Sequence, residues 1–361
     1  MRSIKQVIDR RLQGIASVTY KGIKRVKKHP EEFYLRMSCK AIKSNKMDAA
    51  FKMIPIKADA FYRAGINLQF ESFAIVMQGP IRVEDDFTIE TVKYYRTLYP
   101  KAGIIVSTWN DENPEILKRV SAAGADVLLC EKPSSGGHLN INYQLKNSRE
   151  GILDAQKKGF QYIAKTRTDQ RISKPFIFEY MINLLKQYPS GEPQKQKQRL
   201  VTLSMNYGNM FYPYFMSDFF YFGTADEMVR LFSILADDRE PFKMALGSSK
   251  REYAKYAYAP EVFIMKNYMK SLGCSGDCTI KDYWEGISKY LVCVDMKTLD
   301  IYWPKYDGKY RLHEFYGDYF EYDSDEILKT YNMDFVNWLN LYSGTLQYKP
   351  QYEKYADVIF K

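Results

Sequence analysis

The stretch FAIVMQGP, residues 73–80, decides the fold class of this chain. Five apolar residues stopped by Gln-Gly-Pro are typical of a buried strand that ends in a turn. A helix pattern follows, with Asp85 near its start and Pro100 beyond its end. The alternation continues, with further strands predicted at 103–106, 125–130 and 160–165 and helices at 114–123 and 140–158. Beyond them we expect an exposed loop at 189–199 and a strand near Thr279. Short links between strands and helices predict an α/β protein: a mostly parallel sheet flanked by helices on both faces.

Composition and charge indicate a globular protein and argue against nucleic-acid binding. The chain has 361 residues, 46% hydrophobic and 27% charged, which is typical of a globular protein rather than a disordered one. Residues 1–60 carry 15 Lys or Arg and five acids, an excess that equals the net charge of +10. The remaining residues are balanced, so we expect no nucleic acid among the partners.

The basic segment predicts a helical N-terminal extension. Between residues 4 and 26, apolar side chains recur at three- and four-residue steps, with Lys and Arg between them. Such a helix suits an anionic membrane surface, met through residues 1–28, or packs on its own catalytic body. We predict an extension at 1–70, a catalytic domain at 71–300 and a C-terminal helical and aromatic extension at 301–361.

Cysteine usage and the N-terminus indicate the compartment. Five scattered cysteines form no disulfide framework, and the first 30 residues are too charged for a signal peptide. We therefore expect a cytoplasmic protein, one that can lie on the inner face of the cytoplasmic membrane.

Polar residues follow the predicted strands, where ligands of parallel sheets bind. They include Gln78 and Gly79 after the first strand, Thr108 after the second, and Arg167 and Asp169 after the fourth. The phosphate-binding patterns GxGxxG and GxxxxGK[ST] are absent from the sequence, which argues against a dinucleotide-dependent dehydrogenase or a P-loop NTPase.

Five sequence blocks in one order carry a family resemblance. They are MQGPI (77–81), DFTIET (86–91), IIVSTW (104–109), NINYQ (140–144) and KTRTD (165–169). The array resembles the WavE lipopolysaccharide synthesis family of bacteria. The resemblance implies a sugar-transferring enzyme of surface-polysaccharide assembly with the nucleotide-sugar fold called GT-A.

In GT-A enzymes a DxD motif after a central strand holds Mn²⁺ or Mg²⁺, and the resemblance places Asp169 there. The first Asp of that motif is Arg167 here, so two interpretations stay open. In the first, Asp169 holds the metal, together with His313 near the C-terminus. In the second, Arg167 and Arg171 neutralise the donor's diphosphate without a metal ion. Asp169 could also simply pair with either arginine.

The remaining candidates would hold the nucleotide sugar or activate the acceptor. Gln78, Gly79 and Thr108 are expected near the nucleoside. The amide of Asn142 can bond a sugar or base, or cap its helix. Glu261, at a predicted helix start, and Asp218 are the candidate bases for the acceptor hydroxyl.

Three functions follow as hypotheses. The first is a glycosyltransferase that moves a sugar from a UDP- or CDP-type donor to a lipopolysaccharide-core, capsular or lipid-linked glycan. The second is a nucleotidyl- or phosphosugar-transferase on a similar sheet. The third is a carbohydrate- or membrane-binding scaffold whose catalytic site has decayed.

Overall fold

The computed structural model describes residues 19, 21–24, 30–44, 72–204, 209–304 and 332–358. The chain divides into two compact units, Met1–Met53 and Ile54–Lys361. In the first unit, helix α1 spans Pro30–Ser44, which agrees with a helical N-terminal extension. The predicted basic helix at 4–26 lies almost entirely outside the described residues, and the predicted boundaries at 70 and 300 stay predictions.

The second unit contains a seven-stranded sheet whose first half is parallel. Its strands, in chain order, are β1 (Phe73–Gln78), β2 (Gly103–Trp109), β3 (Asp126–Cys130) and β4 (Tyr162–Arg167). Their order in the sheet is β3-β2-β1-β4. Every residue of β1 and β2 is buried, as expected where helices cover both faces of a parallel sheet. The helices of this half are α2 (Phe87–Leu98), α3 (Pro114–Ala122) and α4 (Ile141–Lys157).

Close packing of α4 on the sheet depends on one glycine. A Cβ on Gly151 would lie 2.5 Å from Val76 Cγ1 and 3.1 Å from Ser107 Cβ. The helix can therefore approach β1 and β2 closely only because this position carries no side chain.

The second half of the sheet contains one antiparallel strand. Beyond β4 the sheet order continues β7-β6-β8, with β6 at Leu200–Leu203, β7 at Tyr221–Thr224 and β8 at Leu291–Val294. Strand β7 runs antiparallel to both neighbours, and Tyr221 pairs with Lys165 of β4. Residues just before β7 therefore lie at the carboxyl end of β4.

A small two-stranded ribbon lies beside the main sheet. Strand β5 (Arg171–Ile172) pairs antiparallel with β9 (Ile301–Tyr302), which brings Trp303 toward the end of β4. The other helices are α5 (Ile177–Gln187), α6 (Ala225–Phe232), α7 (Lys250–Lys255), α8 (Pro260–Ser271), α9 (Ile280–Tyr290), α10 (Met296–Leu299), α11 (Phe335–Tyr342) and α12 (Tyr355–Val358).

The structure confirms the predicted α/β class, a mostly parallel sheet flanked by helices. One expected strand near Thr279 is wrong: the Thr279 hydroxyl accepts from Asp282 N at 3.1 Å and caps the start of α9. A β-branched residue beside an apolar one suits a strand as well as a helix cap, so the pattern was ambiguous. Within the described ranges, no helix combines the length and apolar character needed to cross a bilayer.

Candidate functional site

The strand order reverses between β1 and β4, and this point defines the candidate site. The chain moves outward from β1 to β2 and β3, then returns to place β4 on the other side of β1. Gln78 and Arg167, the last residues of β1 and β4, are register partners. In open α/β sheets, ligands bind outside the carboxyl ends of strands at such a reversal.

A tight turn fixes the backbone at the end of β1. Gly79 has φ +114°, a conformation that favours glycine, and its N–H donates to Ser107 O at 3.1 Å. Thr168 N donates to Gln78 O at 3.1 Å, and Thr168 Oγ1 donates to Pro80 O at 2.6 Å. The ends of β1 and β4 are thus bonded into one rigid edge. The Gln78 side chain makes no hydrogen bond with the described residues.

Arg167 and Asp169 form a two-pronged ion pair at this edge. Arg167 Nε donates to Asp169 Oδ1 at 2.8 Å, and Nη2 donates to Oδ2 at 3.1 Å. The side chains keep 26% and 16% of their surface exposed, so both reach the solvent edge of the sheet. The ion pair expected as one alternative from the sequence is therefore present.

Trp303 completes this cluster, and the sequence did not indicate it. Its Nε1–H donates to Asp169 Oδ2 at 3.1 Å, and its ring lies 5.5 Å from the Arg167 guanidinium carbon. On the other side, the ring packs on Phe219 with centroids 5.1 Å apart. The only sequence signal is the run IYWP at 301–304, an apolar strand stopped by proline.

Asp218 is brought to the same edge by the antiparallel strand. Its main-chain carbonyl accepts from Lys165 Nζ and from Gln144 Nε2, both at 2.6 Å. Its half-buried carboxylate makes no hydrogen bond or ion pair with the described residues. Glu261 lies in the first turn of α8. Burial raises the pKa of Tyr221 well above its usual value, and the charges of Asp218 and Glu261 add to that rise.

Lys165 is a second residue that the sequence analysis missed. It lies two residues before Arg167 and has no exposed surface. Desolvation lowers the pKa of its amine from 10.5 to about 7, although the nearby charge of Asp218 acts in the opposite direction. A neutral amine can therefore stand beside Asp218 near neutral pH.

Three predicted binding residues are turned away from the site. Thr108 is fully buried and donates to Glu112 Oε1 at 3.0 Å. Arg171 is also fully buried, with its guanidinium carbon 4.9 Å from the Phe87 ring centroid beneath α2. Neither side chain is accessible to a ligand, because the buried Thr108 hydroxyl is bonded to Glu112 and the buried Arg171 guanidinium packs on Phe87. We therefore leave both out of the proposed site.

Asn142, the third, joins two loops instead of facing a ligand. Its Nδ2 donates to Ser135 O at 3.2 Å and to Asp237 O at 2.8 Å, and its Oδ1 accepts from Asp237 N at 2.7 Å. Both amide protons and the amide oxygen are thus engaged within the protein. The expectation that this amide binds a sugar or base is corrected to a structural role.

The described residues alone do not make a metal site. Among them, no group of three or more His, Cys, Asp or Glu side chains is placed to hold a metal ion. Asp169 supplies one carboxylate, whose oxygens accept from Arg167 and Trp303. His313, the second expected ligand, lies outside the described residues.

Comparison with known proteins identifies the class. The family model "WavE lipopolysaccharide synthesis" matches residues 73–285, which include six of the seven strands of the main sheet and, of the edge just described, all residues but Trp303. This chain belongs to that family, as its sequence blocks predicted. No curated protein matches its sequence.

One solved structure is a partial match. It is the crystal structure of a mannose-1-phosphate geranyltransferase from Thermus thermophilus, and it is 18% identical to this chain. The match covers 40% of this chain and 44% of that one, less than half of either, with a TM-score of 0.26. At that TM-score the two chains share too little geometry for their sites to be compared.

Proposed function

We propose that this protein is a glycosyltransferase of the GT-A type. It would move a sugar from a UDP- or CDP-type nucleotide sugar to a growing lipopolysaccharide-core or capsular glycan. The family places the chain in lipopolysaccharide synthesis. The observation that carries the proposal is the carboxyl edge of the sheet, where the Arg167 guanidinium at the end of β4 lies near Asp218, just before the neighbouring strand β7, whose carboxylate makes no hydrogen bond with the described residues.

Arg167 would stabilise the departing nucleotide diphosphate. When the glycosidic bond of the donor breaks, negative charge builds on the leaving phosphate oxygen, and a fixed cation lowers the energy of that state. The planar guanidinium binds phosphate oxygens through two parallel N–H bonds. The Trp303 ring centroid lies 5.5 Å from the guanidinium carbon, and this cation–π contact would help to hold the group in place.

Gln78 would contact the nucleoside part of the donor. It is the register partner of Arg167, so a diphosphate at Arg167 places the rest of the nucleotide near the end of β1. Its amide offers two donors and one acceptor, which suits the edge of a pyrimidine base. Gly79 lets the ligand approach the main chain closely.

Asp218 is the proposed general base, and Glu261 is the second candidate. The carboxylate would take the proton of the acceptor hydroxyl while that oxygen bonds to the anomeric carbon and the diphosphate leaves with its electron pair. Three features support Asp218: its carboxylate is half-buried, that carboxylate makes no hydrogen bond with the described residues, and two hydrogen bonds fix its main chain.

Mn²⁺ or Mg²⁺ binding at Asp169 stays a prediction, because the described residues bring together no group of three metal-ligating side chains. Dialysis against EDTA, then addition of either ion, tests it: activity that returns with the ion supports the prediction. Attachment to an anionic membrane through residues 1–28 also stays a prediction.

The deciding experiment combines binding and turnover. A thermal-shift panel of nucleotides and nucleotide sugars finds the donor, because a ligand that binds only the folded state raises Tm. We expect Asp169→Asn to reduce turnover by about 100-fold, since it weakens the group that orients Arg167. Asp126→Asn is the matched control: this exposed carboxylate pairs with Lys158 at the start of β3, at the opposite edge of the sheet.

Other outcomes would contradict the proposal. A phosphodiester product instead of a glycoside would indicate a nucleotidyl- or phosphosugar-transferase. A folded protein that binds glycan but shifts with no nucleotide would indicate a scaffold.

A further inference from the structure

A basic and aromatic cavity lies on the other side of α8 from Glu261. It has a volume of about 540 Å³, within the size range of small-molecule sites. Its walls come from α8, the end of α7 and the segment before α7. Phe263 and Glu261 are two residues apart, about 200° around the helix axis, and no residue of the candidate catalytic edge lines the cavity.

The lining is strongly cationic. Four of its nine residues are Arg239, Lys255, Lys266 and Lys270, and none of the nine is acidic. Lys255 and Lys270 are exposed, and their amines form no ion pair with the described residues. The cavity therefore presents two cations that a ligand can bind without breaking an existing bond.

Arg239 is held rigidly in the cavity wall. Its Nε and Nη2 donate to the buried Asp237 carboxylate at 2.6 and 2.9 Å. Its guanidinium carbon lies 5.3 Å from the Phe242 ring centroid and 5.1 Å from that of Phe263. This packing fixes the shape of the site before any ligand arrives, which reduces the entropy lost on binding.

Aromatic surface accompanies the charge. Phe242 stacks on His138 with ring centroids 4.3 Å apart, and Tyr256 is 54% exposed at the cavity. Aromatic faces pack against the apolar face of a ligand ring, whereas lysines alone would attract any anion. Cations and aromatic rings together fit a ring-bearing anion of a few hundred Å³.

We propose that this cavity binds a phosphorylated sugar, with the phosphate between Lys255 and Lys270 and the sugar ring against Tyr256. The site is additional to the proposed donor site and does not require its chemistry. It would give the protein a second point of contact with a phosphate-bearing glycan.

Calorimetry with glucose 6-phosphate, glucose and inorganic phosphate, at constant ionic strength, tests the proposal. We expect glucose 6-phosphate to bind more tightly than inorganic phosphate, and glucose not to bind detectably. The double variant Lys255→Gln, Lys270→Gln should weaken that binding about tenfold or more, since it removes both cations that would pair with the phosphate. Lys157→Gln, an exposed lysine at the end of α4, is the matched control.

A second variant separates sugar recognition from charge. Tyr256→Ala should lower the affinity for glucose 6-phosphate toward that for inorganic phosphate while leaving phosphate binding unchanged. Because more than half of this side chain is exposed, its loss should not unfold the protein. Circular dichroism of each variant checks the fold.

Three results would overturn the inference. Equal affinity for glucose 6-phosphate and inorganic phosphate would exclude sugar recognition. Binding to phosphatidylglycerol vesicles that needs both lysines, without glucose 6-phosphate binding, would indicate a membrane contact. Loss of the nucleotide thermal shift in the double variant would make this cavity the donor site. A nucleotide shift that the double variant keeps supports the catalytic edge independently, so the two proposals fail separately.

Discussion

Replacement of Lys165 by methionine tests whether the amine buried beneath the candidate site titrates near neutral pH. Desolvation lowers its folded-state pKa to about 7, from 10.5. Between these two values the unfolded chain binds more protons than the folded protein, so stability rises with pH. The cost of burying the amine is therefore fully present below pH 7 and fades as the pH approaches the unfolded-state value.

The magnitude follows from the displacement of the pKa. A change from 10.5 to about 7 corresponds to about 5 kcal/mol, at about 1.4 kcal/mol per pH unit. Methionine has no proton to lose, so the variant lacks this pH dependence. The free energy of unfolding of Lys165→Met minus that of wild type should be largest below pH 7. This difference should fall by about 3 kcal/mol by pH 9.5.

Urea unfolding of both proteins at several pH values between 6 and 9.5 measures this difference. The hydrogen bond to Asp218 O, lost in the variant, shifts the whole curve but does not produce its slope. Lys157→Met, at an exposed lysine, should give a flat difference. A flat difference for Lys165→Met as well would refute the reasoning, because it would mean that this amine keeps its ordinary pKa in the folded protein.

Two further predictions concern Asn142 and Trp303. Asn142→Ala should reduce the free energy of unfolding by about 1–3 kcal/mol, because buried main-chain groups lose their hydrogen-bond partners. The KM for the donor should stay unchanged; a large rise in KM would instead show that Asn142 contacts the ligand. Trp303→Phe keeps a ring beside Arg167 but removes the Nε1 donor to Asp169. Steady-state kinetics should therefore show a lower kcat while the fold stays intact. An unchanged kcat would mean that Trp303 is not part of the site.

The sheet and one edge of the site could be predicted from the sequence, because local patterns determine them. Buried parallel strands are continuous apolar runs, and FAIVM at 73–77 and the later runs stand out between helix patterns. Parallel strands end at the same edge, so Gln78 and Arg167 could be placed together without coordinates. The exposed loop expected at 189–199 contains neither helix nor strand, although Arg199 within it is buried.

The other contacts could not be predicted, because they depend on distant parts of the chain. Trp303 reaches Asp169 across 134 positions, through pairing of two two-residue strands that have no sequence signature. The position of Asp218 depends on the direction of β7, which its apolar run does not reveal. Composition also cannot tell an asparagine that joins two loops from one that binds a sugar, as Asn142 shows.

The Arg167–Asp169 pair has a consequence for how any phosphate ligand would arrive and leave. The carboxylate occupies the guanidinium prongs that a phosphate would need. In the proposed reaction, phosphate capture would then be an exchange of one anion for another, and the displaced carboxylate would become available for a new partner. After that reaction the same carboxylate would compete with the spent nucleotide for the arginine, which would favour rapid turnover over tight product retention.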